Sequence, residues 1–186
     1  GAGTDLEAFR RSIENIVRRH EVLRTVFRKD SQGSDIQCVL ERTPVIEEER
    51  LAEQELPDRL ANGVNRPFDL VHAGPLNVTI LRTEVTVYAL INLHHVAFDG
   101  WSMGVFVSEL EQSYSAYADH RAPALPPLDI QYRDFAVWQR ERLAGEELER
   151  GLSFWKKHLA GCETLEFPID FPRPARVDYA GDDLHF

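Results

Sequence analysis

Hydrophobic and polar residues follow two spacings along this chain, and the spacing changes from segment to segment. In the first segment, apolar side chains recur every three or four residues, which predicts a helix over residues 5–19. Thr4 and Glu7 have the spacing of a capping box, so we expect them to cap this helix. Downstream, the pattern predicts a hairpin of two extended segments joined by a turn, over residues 22–27, 31–34 and 36–40.

The middle of the chain contains a charged segment followed by two apolar ones. Glu47 to Glu49 open a charged stretch, which we interpret as the solvent-exposed face of a helix that extends toward Asn62. Two strands are predicted next, over residues 76–80 and 85–94. The second strand has apolar residues on both faces, and we therefore expect it in the centre of a sheet.

Helical spacing dominates the second half of the chain. We expect Ser102 to be the N-cap of a helix whose apolar stripe consists of Met103, Phe106, Val107, Leu110, Tyr114 and Tyr117. Two more helices are predicted over residues 132–143 and 146–159. Three prolines between residues 168 and 174 exclude regular structure from the C-terminal segment. Together these elements predict an α+β protein, and 186 residues correspond to one domain or one lobe of a larger domain.

Composition and charge exclude several classes of function. With 21 basic and 31 acidic residues, the formal net charge is −10, so the chain lacks the basic surface that binding to nucleic acids or anionic membranes needs. No apolar run reaches the roughly 18 residues of a membrane span, and the N-terminus has no signal-peptide core. The two cysteines, Cys38 and Cys162, do not form a Cys-x-x-Cys pair, which excludes a cysteine-based zinc site. We expect a cytoplasmic protein and, because the sequence begins without Met and ends within a pattern, a piece of a longer polypeptide.

The candidate chemistry lies in residues 93–102, LHHVAFDGWS, at the end of the second predicted strand. Adjacent strand residues point to opposite faces, so we expect one of the two imidazoles of His94 and His95 to face reactants and the other to be held in the interior by hydrogen bonds. Asp99 follows at a distance that lets a turn bring its carboxylate back under the loop, and Gly100 permits close approach of the backbone.

The same segment has other interpretations. Two histidines at a strand end and an Asp-Gly pair after it are also typical of a purely structural turn. A metal ion on His95 and Asp99 lacks a third ligand at a recognisable spacing. We do not expect a serine hydrolase, and the absence of a P-loop and of a Gly-x-Gly-x-x-Gly motif leaves nucleotide binding without support.

Several segments resemble one known family. Residues 94–100, HHVAFDG, are similar to the HHxxxDG signature of condensation domains of nonribosomal peptide synthetases, which share a superfamily with chloramphenicol acetyltransferase. Residues 19–27, RHEVLRTVF, resemble the family's RHExLRTxF motif, and residues 132–138, YRDFAVW, resemble its YxDFAVW motif. Further similar segments are residues 67–76, 154–159 and 167–174.

The resemblance implies a fold and a reaction. Residues 1–186 would form the N-terminal lobe of a condensation domain, a chloramphenicol acetyltransferase-like lobe with a mixed central sheet and flanking helices, and the missing second lobe would complete the active-site tunnel. The implied reaction joins a donor aminoacyl or peptidyl thioester to the amine of an acceptor aminoacyl thioester. The implied partners are an upstream donor and a downstream acceptor peptidyl carrier protein, together with adjacent adenylation domains. No cofactor would be bound directly, because the substrates are carried on the 4′-phosphopantetheine arms of the carrier proteins.

The resemblance also implies roles for individual residues. His95 would act either as a general base or as a group that positions the amine, and both alternatives remain open. Asp99 would pair with an arginine, for which we expect Arg19 rather than Arg24, and the pair would fix the loop. The Gly100 N–H would be a donor to the substrate or the oxyanion.

Four further residues complete the expected site. Ser102, near the start of the following helix, would place the positive end of that helix next to Gly100. His94 is expected to be structural. For the aromatic residues Tyr132 and Trp138 we expect core packing, with substrate contact as the alternative.

Rival functions exist within the superfamily and outside it. A coenzyme A-dependent acyltransferase of the same superfamily is an alternative, although residues 19–27 and 132–138 favour the peptide synthetase. An epimerisation domain also carries HHxxxD, but residues 100–102 look more like a condensation domain, and a heterocyclisation domain would have aspartate in place of His94. From a different class, a non-catalytic module that binds carrier proteins could describe the isolated lobe, which we expect to be inactive.

Overall fold

The computed structural model describes residues 3–166 and 168–176, within two compact units, Gly1–Glu141 and Arg142–Phe186. The elements are α1 (Leu6–Arg19), β1 (Thr25–Lys29), β2 (Asp35–Val39), β3 (Ile46–Arg50), α2 (Leu56–Val64), β4 (Leu76–Arg82), β5 (Val87–Leu93), α3 (Gly100–Ala118), α4 (Tyr132–Arg142) and α5 (Gly145–His158). Two short 3-10 helices, Glu21–Arg24 and Glu53–Glu55, precede β1 and α2. Strands and helices are both present, and the predicted α+β class is confirmed.

Helix α1 is confirmed, but its cap is not the predicted one. The Asp5 carboxylate, rather than Thr4, caps the helix by accepting a hydrogen bond of 3.0 Å from the Ala8 N–H. Aspartate is as favourable an N-cap as serine and better than threonine, so the residue nearer the helix takes the position. The apolar spacing then directs Ile13 and Ile16 into the core, where both are fully buried.

The hairpin after α1 is confirmed, although its first segment starts later than predicted. Residues 21–24 form a turn of 3-10 helix instead of a strand, stabilised by a hydrogen bond of 2.8 Å from the Thr25 hydroxyl to the Glu21 carbonyl. This turn buries Leu23. Strands β1 and β2 then pair antiparallel, with Val26 opposite Cys38.

The glutamate-rich segment is a strand, and the prediction of a helix beginning there is wrong. Strand β3 pairs in parallel with β4, with Ile46 opposite Val78. Its glutamates are held by arginines from other segments, through the ion pairs Glu47–Arg66 (2.6 Å), Glu48–Arg82 (2.9 Å) and Glu49–Arg59 (2.7 Å). These partners are distant in sequence, so the segment alone does not reveal that its charges support a strand.

The main described sheet has the order β3-β4-β5, with β4 antiparallel to β5, which confirms a mixed sheet with flanking helices. The central strand is β4, and the prediction of a central β5 is wrong for the described strands, among which β5 lies at the edge. Val78, Ile80 and Leu81 of β4 are almost fully buried, whereas β5 is half-buried. Helix α2 packs near β5, where the Asn92 amide donates to the Gly63 carbonyl (2.6 Å).

Helix α3 packs against α1, and its buried face differs from the predicted stripe. Phe106 is buried as expected, but Met103 and Val107 are 51% and 42% exposed. The buried face consists of Phe106, Glu109, Ser113 and Ala116. Polar contacts join the two helices along this face, among them a hydrogen bond of 3.3 Å from the Asn15 amide to the Ser113 hydroxyl. The interface of α1 and α3 is therefore partly polar, which an apolar-stripe rule does not anticipate.

Helices α4 and α5 are confirmed within about one residue of the predicted bounds. Tyr132 and Trp138 of α4 are each 53% exposed, so the expected core packing of these two side chains is wrong for the described chain. Residues 168–176 form no helix or strand, in agreement with their prolines, and Phe167 lies outside the described residues. Across the described ranges, none of the helices has the length and apolar character required to span a membrane.

Candidate active site

The loop that follows β5 is a tight turn fixed by backbone hydrogen bonds. The His94 N–H donates to the Pro75 carbonyl (2.9 Å), and the Ala97 N–H donates back to the His94 carbonyl (3.0 Å). Because Pro75 directly precedes β4, the loop is attached to the central strand of the described sheet. Helix α3 begins at Gly100, so the loop has little freedom between two regular elements.

His94 makes protein contacts with both its ring and its backbone. Its Nδ1 accepts a hydrogen bond from the Val96 N–H (3.0 Å), and its ring packs edge-on against Phe68 at 5.2 Å between ring centroids. The side chain is half-buried. This placement is consistent with the structural role expected from the sequence, since the ring is occupied in supporting the turn.

His95 lies in a different environment from its neighbour. His95 is exposed, and its ring has no hydrogen-bond partner among the described residues. When the ring is protonated, its charge lowers the pKa of the Asp99 carboxyl, which lies across the turn. Sequence neighbours on opposite sides of the chain thus have opposite surroundings, and only the imidazole of His95 is available to a ligand.

Asp99 is the N-cap of α3, a position that the sequence analysis assigned to Ser102. Its Oδ1 accepts hydrogen bonds from the Ser102 hydroxyl (2.7 Å) and the Ser102 N–H (2.9 Å). These two bonds, with a further contribution from the charge of His95, hold the pKa of the Asp99 carboxyl below its usual range. Asp99 therefore fixes the junction of loop and helix as an exposed, ionised cap.

The expected pair between Asp99 and Arg19 is not formed. The Arg19 Nε–H donates instead to Oε1 of Glu109 at 2.9 Å, and both side chains are largely buried. Arg24, the alternative partner, donates to the Leu40 carbonyl (2.9 Å) and to Glu41 (3.1 Å). The reason is geometric: the C-terminal end of α1 faces the middle of α3, whereas the Asp99 carboxylate is engaged at the first turn of α3.

Glu109 and His20 are the site-supporting residues that the sequence analysis missed. Glu109 is 8% exposed, and its Oε2 lies 2.6 Å from Nε2 of His20 while Oε1 binds Arg19. A signal was available, because Glu109 follows Phe106 by three residues and so falls on the buried face of α3. A carboxylate at such a position needs partners, and the adjacent Arg19 and His20 supply them.

Gly100 is the first residue of α3, and within the described chain its N–H has no hydrogen-bond partner. This N–H lies at the positive end of the helix and can bind an anionic oxygen. A Cβ built on Gly100 would meet no described atom within 4 Å. The close approach expected from a glycine is therefore not made by the described chain itself.

Residues 100–104, GWSMG, fit the Gly-x-Ser-x-Gly pattern of serine hydrolases, a match that the sequence analysis overlooked. In that motif the serine lies on a sharp strand-to-helix turn beside a histidine base. Here Ser102 lies inside the first turn of α3, and its hydroxyl donates to the Asp99 cap. The surroundings of Ser102 do not provide the activated nucleophile of a hydrolase.

A small apolar cavity of about 150 Å³ lies next to the loop. It is lined by residues of the loop and of α3, including Ala97, Phe98, Trp101 and Phe106, and by His20. Trp101 is 88% exposed at its rim. Trp138, the remaining predicted site residue, lies on α4 beside Phe135, with 5.6 Å between the ring centroids. Over the described parts of the chain, no group of three or more His, Cys, Asp or Glu side chains could hold a metal ion.

The sequence matches the family described as Condensation domain over residues 2–186. The chain belongs to the condensation-domain family. It is 36% identical to the dimodular nonribosomal peptide synthase of Bacillus subtilis (strain 168) over 185 residues, which are 94% of this chain and 8% of that protein. It is 35% identical to chondramide synthase cmdD of Chondromyces crocatus, over 98% of this chain and 5% of that protein. This condensation-domain chain thus spans a small part of the curated relatives that it matches.

Solved structures agree with this membership. The X-domain from teicoplanin biosynthesis, solved in complex with OxyB, superposes with a TM-score of 0.80 at 32% identity, over 92% of this chain and 39% of that chain. The epimerization domain from the third module of tyrocidine synthetase B gives a TM-score of 0.77 over 92% of this chain and 40% of that chain. At 21% identity, the second similarity shows the condensation-domain fold alone.

Proposed function

We propose that the chain is the N-terminal lobe of a condensation domain, and that the complete domain forms peptide bonds in nonribosomal peptide synthesis. The amine of an acceptor aminoacyl thioester attacks the carbonyl carbon of a donor aminoacyl or peptidyl thioester. The C–N bond forms, the C–S bond breaks, the amine loses one proton and the donor arm leaves as a thiol. Family membership and the HHVAFDG loop support this reaction.

The observation that carries the proposal is the exposed ring of His95 on a turn that other residues hold in place. The turn is fixed by the backbone hydrogen bonds between His94 and Pro75 and between Ala97 and His94, and by the ring of His94. His95 is therefore oriented without any hydrogen bond from its own ring nitrogens to the described residues. A pre-oriented group lowers the entropic cost of bringing it to the reacting atoms. We infer that His95 is the catalytic residue of this lobe.

The reaction demands little of the base. The α-amine has a reference pKa of about 8 and is partly neutral near pH 7, so its proton has to be removed mainly as the C–N bond forms. A neutral imidazole has one lone pair, which can hold the amine by a hydrogen bond and accept its proton in the same geometry. Both roles require the ring of His95 to be neutral and accessible.

Asp99 and Gly100 have different roles in this proposal. Asp99 caps α3 and keeps the loop in register with the helix, so it positions His95 rather than contacting the substrate. The N–H of Gly100 is available to stabilise the oxyanion that develops on the thioester carbonyl. Ser102 supports this arrangement through its bonds to Asp99.

The partners follow from the reaction. Both substrates would be carried on 4′-phosphopantetheine arms, one on an upstream donor and one on a downstream acceptor carrier protein, with adenylation domains as neighbours. The relatives are long synthetases, of which this chain matches only 2–8%, and this supports a multidomain context. The second lobe would complete the tunnel, no cofactor would be bound by the lobe itself, and the protein would work in the cytoplasm.

The test is peptide-bond formation by the complete domain with loaded carrier proteins, followed by mass spectrometry under single-turnover conditions. We expect His95→Ala to abolish product while circular dichroism and the melting temperature stay unchanged. The matched control is His120→Asn on the surface, because His120 has a φ of 55° and asparagine tolerates that region. Product formation at the wild-type rate by folded His95→Ala would exclude the catalytic role.

A second candidate is a non-catalytic binding lobe, favoured by one observation. The X-domain from teicoplanin biosynthesis, which is 32% identical, was solved in complex with OxyB, a different protein. If the chain only bound a partner, His95→Ala would leave carrier-protein binding unchanged, and the wild-type domain would form no product. The same assay, combined with a binding titration of the carrier protein, separates the two functions.

A further inference from the structure

A second cavity, away from the ring of His95, is lined by an unusual set of charges. It has a volume of about 240 Å³ and lies between the loop before β3, the start of β4 and the end of α2. Three arginines, Arg24, Arg42 and Arg66, line it together with one acid, Glu47. In a chain with a net charge of −10, this concentration of guanidinium groups is a local exception.

The one carboxylate in the described lining of this cavity, that of Glu47, is already paired with an arginine. Both oxygens of Glu47 accept hydrogen bonds from the Arg66 guanidinium, at 2.6 and 2.9 Å. This bidentate pair holds the pKa of the Glu47 carboxyl below its usual range and leaves Glu47 with little capacity to neutralise another cation.

Arg42 is the cation without an acidic partner. Its guanidinium donates to the Ala73 carbonyl at 2.6 Å, and no carboxylate of the described residues lies within 4 Å of it. Arg42 is exposed, and apart from its bond to Ala73 its five N–H donors have no partner among the described residues and face the solvent, where a ligand can reach them. Thr43 and Asn77 also line the cavity, and the hydroxyl of Thr43 can add an O–H donor. The cavity thus offers an excess of donors over acceptors.

The remaining wall is apolar and comes from Val17, Leu23, Pro44, Val45, Leu76 and Val78. A cavity that combines an apolar wall with a few convergent polar groups is the usual form of a small-molecule site.

We propose that this cavity binds a small organic oxyanion, a carboxylate or a phosphate monoester with a short aliphatic part, through Arg42. The oxyanion accepts hydrogen bonds from Arg42 and Thr43, while the aliphatic part packs on Leu23 and Val78. Arg24 contributes positive charge, although Glu41 and Glu21 share it at 3.1 and 3.8 Å. Because the charge of Arg66 is already neutralised by Glu47, the charge of the ligand is balanced chiefly by Arg42.

The position of the cavity relative to the site loop follows from the register of the sheet. Leu76, in its wall, pairs across the sheet with Leu93, two residues before His95. The cavity therefore lies at the same end of the sheet as the site loop.

The test is calorimetric titration of the intact protein with 4-methylpentanoate, with isobutyl phosphate and with the neutral isostere 4-methylpentanamide. We expect saturable binding of one or both anions, weakening as NaCl is added, and no detectable binding of the amide. Arg42→Gln should raise the dissociation constant about tenfold or more, because a charge-assisted hydrogen bond is lost. The measurement involves no turnover, so it is independent of the proposed condensation reaction.

The chain offers a matched control for Arg42. Arg28 also donates to a carbonyl of the same loop, that of Val71 at 3.2 Å, but it does not line the cavity. Arg28→Gln removes the same charge and should leave the dissociation constant unchanged. If Arg42→Gln fails to fold, Arg42→Lys replaces it, with a smaller loss of affinity.

Three results would overturn the proposal. The first is the absence of saturable binding of both anions to the wild-type protein. The second is an equal loss of affinity in Arg42→Gln and Arg28→Gln, which would indicate attraction by surface charge alone. The third is binding of the amide as tight as that of the carboxylate, which would leave only an apolar pocket. Selective binding of the phosphate or of the carboxylate identifies which anion the site takes, and either result supports it.

Discussion

Two histidines that follow each other in the chain perform different tasks because their surroundings differ. The side chain of His94 accepts the Val96 N–H two residues on, the pattern by which Asx turns are held, and it packs on Phe68. The ring of His95 has no such bond within the described part of the chain. Strand alternation predicted that the two rings have different surroundings, and the structure was needed to identify the atoms that each ring contacts.

Asp99 is an exposed helix cap rather than the buried partner of an arginine, and this changes the expected effect of its substitution. Asparagine is also a good N-cap, so we expect Asp99→Asn to melt near the wild-type temperature and Asp99→Ala to melt several degrees lower. The folded-state pKa of Asp99 is lowered, so its stabilising effect is complete above the ordinary aspartate range near pH 4 and is lost as the pH falls through the lowered value.

Melting temperatures of these variants as a function of pH test this role. The advantage of the wild type over Asp99→Ala should shrink below about pH 4, whereas Asp99→Asn does not titrate and serves as the control. An Asp99→Ala variant as stable as wild type at pH 7 would contradict the capping role.

Of the acidic residues of α3 and its cap, Glu109 is the one whose loss should lower the free energy of unfolding most. It is largely buried and binds both Arg19 and His20, so Glu109→Ala leaves an arginine without its counter-ion in a partly buried site. Removing one partner of a buried ion pair destabilises by about 3–5 kcal/mol, here an upper value because these side chains keep some exposure. Urea unfolding measures the difference.

The exposed Glu111, two residues along the same helix, provides the control for Glu109. Glu111→Ala should change the free energy of unfolding by no more than about 0.5 kcal/mol. A similar small effect in Glu109→Ala would show that the contact with Arg19 and His20 contributes no stability.

At the scale of elements, secondary structure is predicted best where it depends on residues within the same segment. Helices α1, α4 and α5 and the hairpin β1–β2 follow from local spacing and turn residues. Strand β3 does not, because its glutamates are acceptable in a strand only when arginines from other segments pair with them. The centre of the sheet also could not be predicted, since apolar residues on both faces of β5 do not reveal which strands lie beside it.

The packing of α2 near β5 gives a prediction at this scale. A Cβ on Gly63 would lie 2.3 Å from Cδ2 of Leu90, so Gly63→Ala forces the helix or the leucine to move. We expect a net loss of about 1 kcal/mol in the free energy of unfolding, because overpacking outweighs the gain in helix propensity. Denaturant unfolding measures it.

Gly104 in α3 is the matched glycine, since an added Cβ there meets no described atom within 4 Å. Gly104→Ala should raise the free energy of unfolding by up to about 1 kcal/mol through helix propensity alone. The two substitutions are therefore expected to have opposite signs, and stabilisation by Gly63→Ala would show that α2 is not tightly packed on Leu90.

At the scale of the whole molecule, much of the candidate site could be predicted because its motif is contiguous. Residues 94–100 are adjacent in sequence, and the turn that holds them needs only neighbouring atoms and Pro75. The Arg19–Glu109 pair could not be assigned, since it depends on how α1 and α3 cross. The cavity around Arg42 was likewise invisible, because its walls come from segments that are distant in the chain.

Residues 1–186 expressed alone should fold without being an efficient catalyst. The chain covers 39% of the solved X-domain, and the apolar residues next to the site loop are exposed, with Trp101 at 88% and Val105 at 44%. Orientation of two tethered substrates and exclusion of water need walls on both sides of the reacting atoms, and in the proposed two-lobed domain this chain would provide His95 and its supports on one side. We therefore expect the isolated chain to fold, to self-associate through its exposed apolar surface, and to form little or no product with loaded carrier proteins. Circular dichroism, light scattering and single-turnover mass spectrometry check these three outcomes, with the two-lobed domain as the control. Turnover by the isolated chain at the rate of the two-lobed domain would mean that the lobe carries a complete site, and that the orientation of both substrates is achieved by the residues around His95 alone.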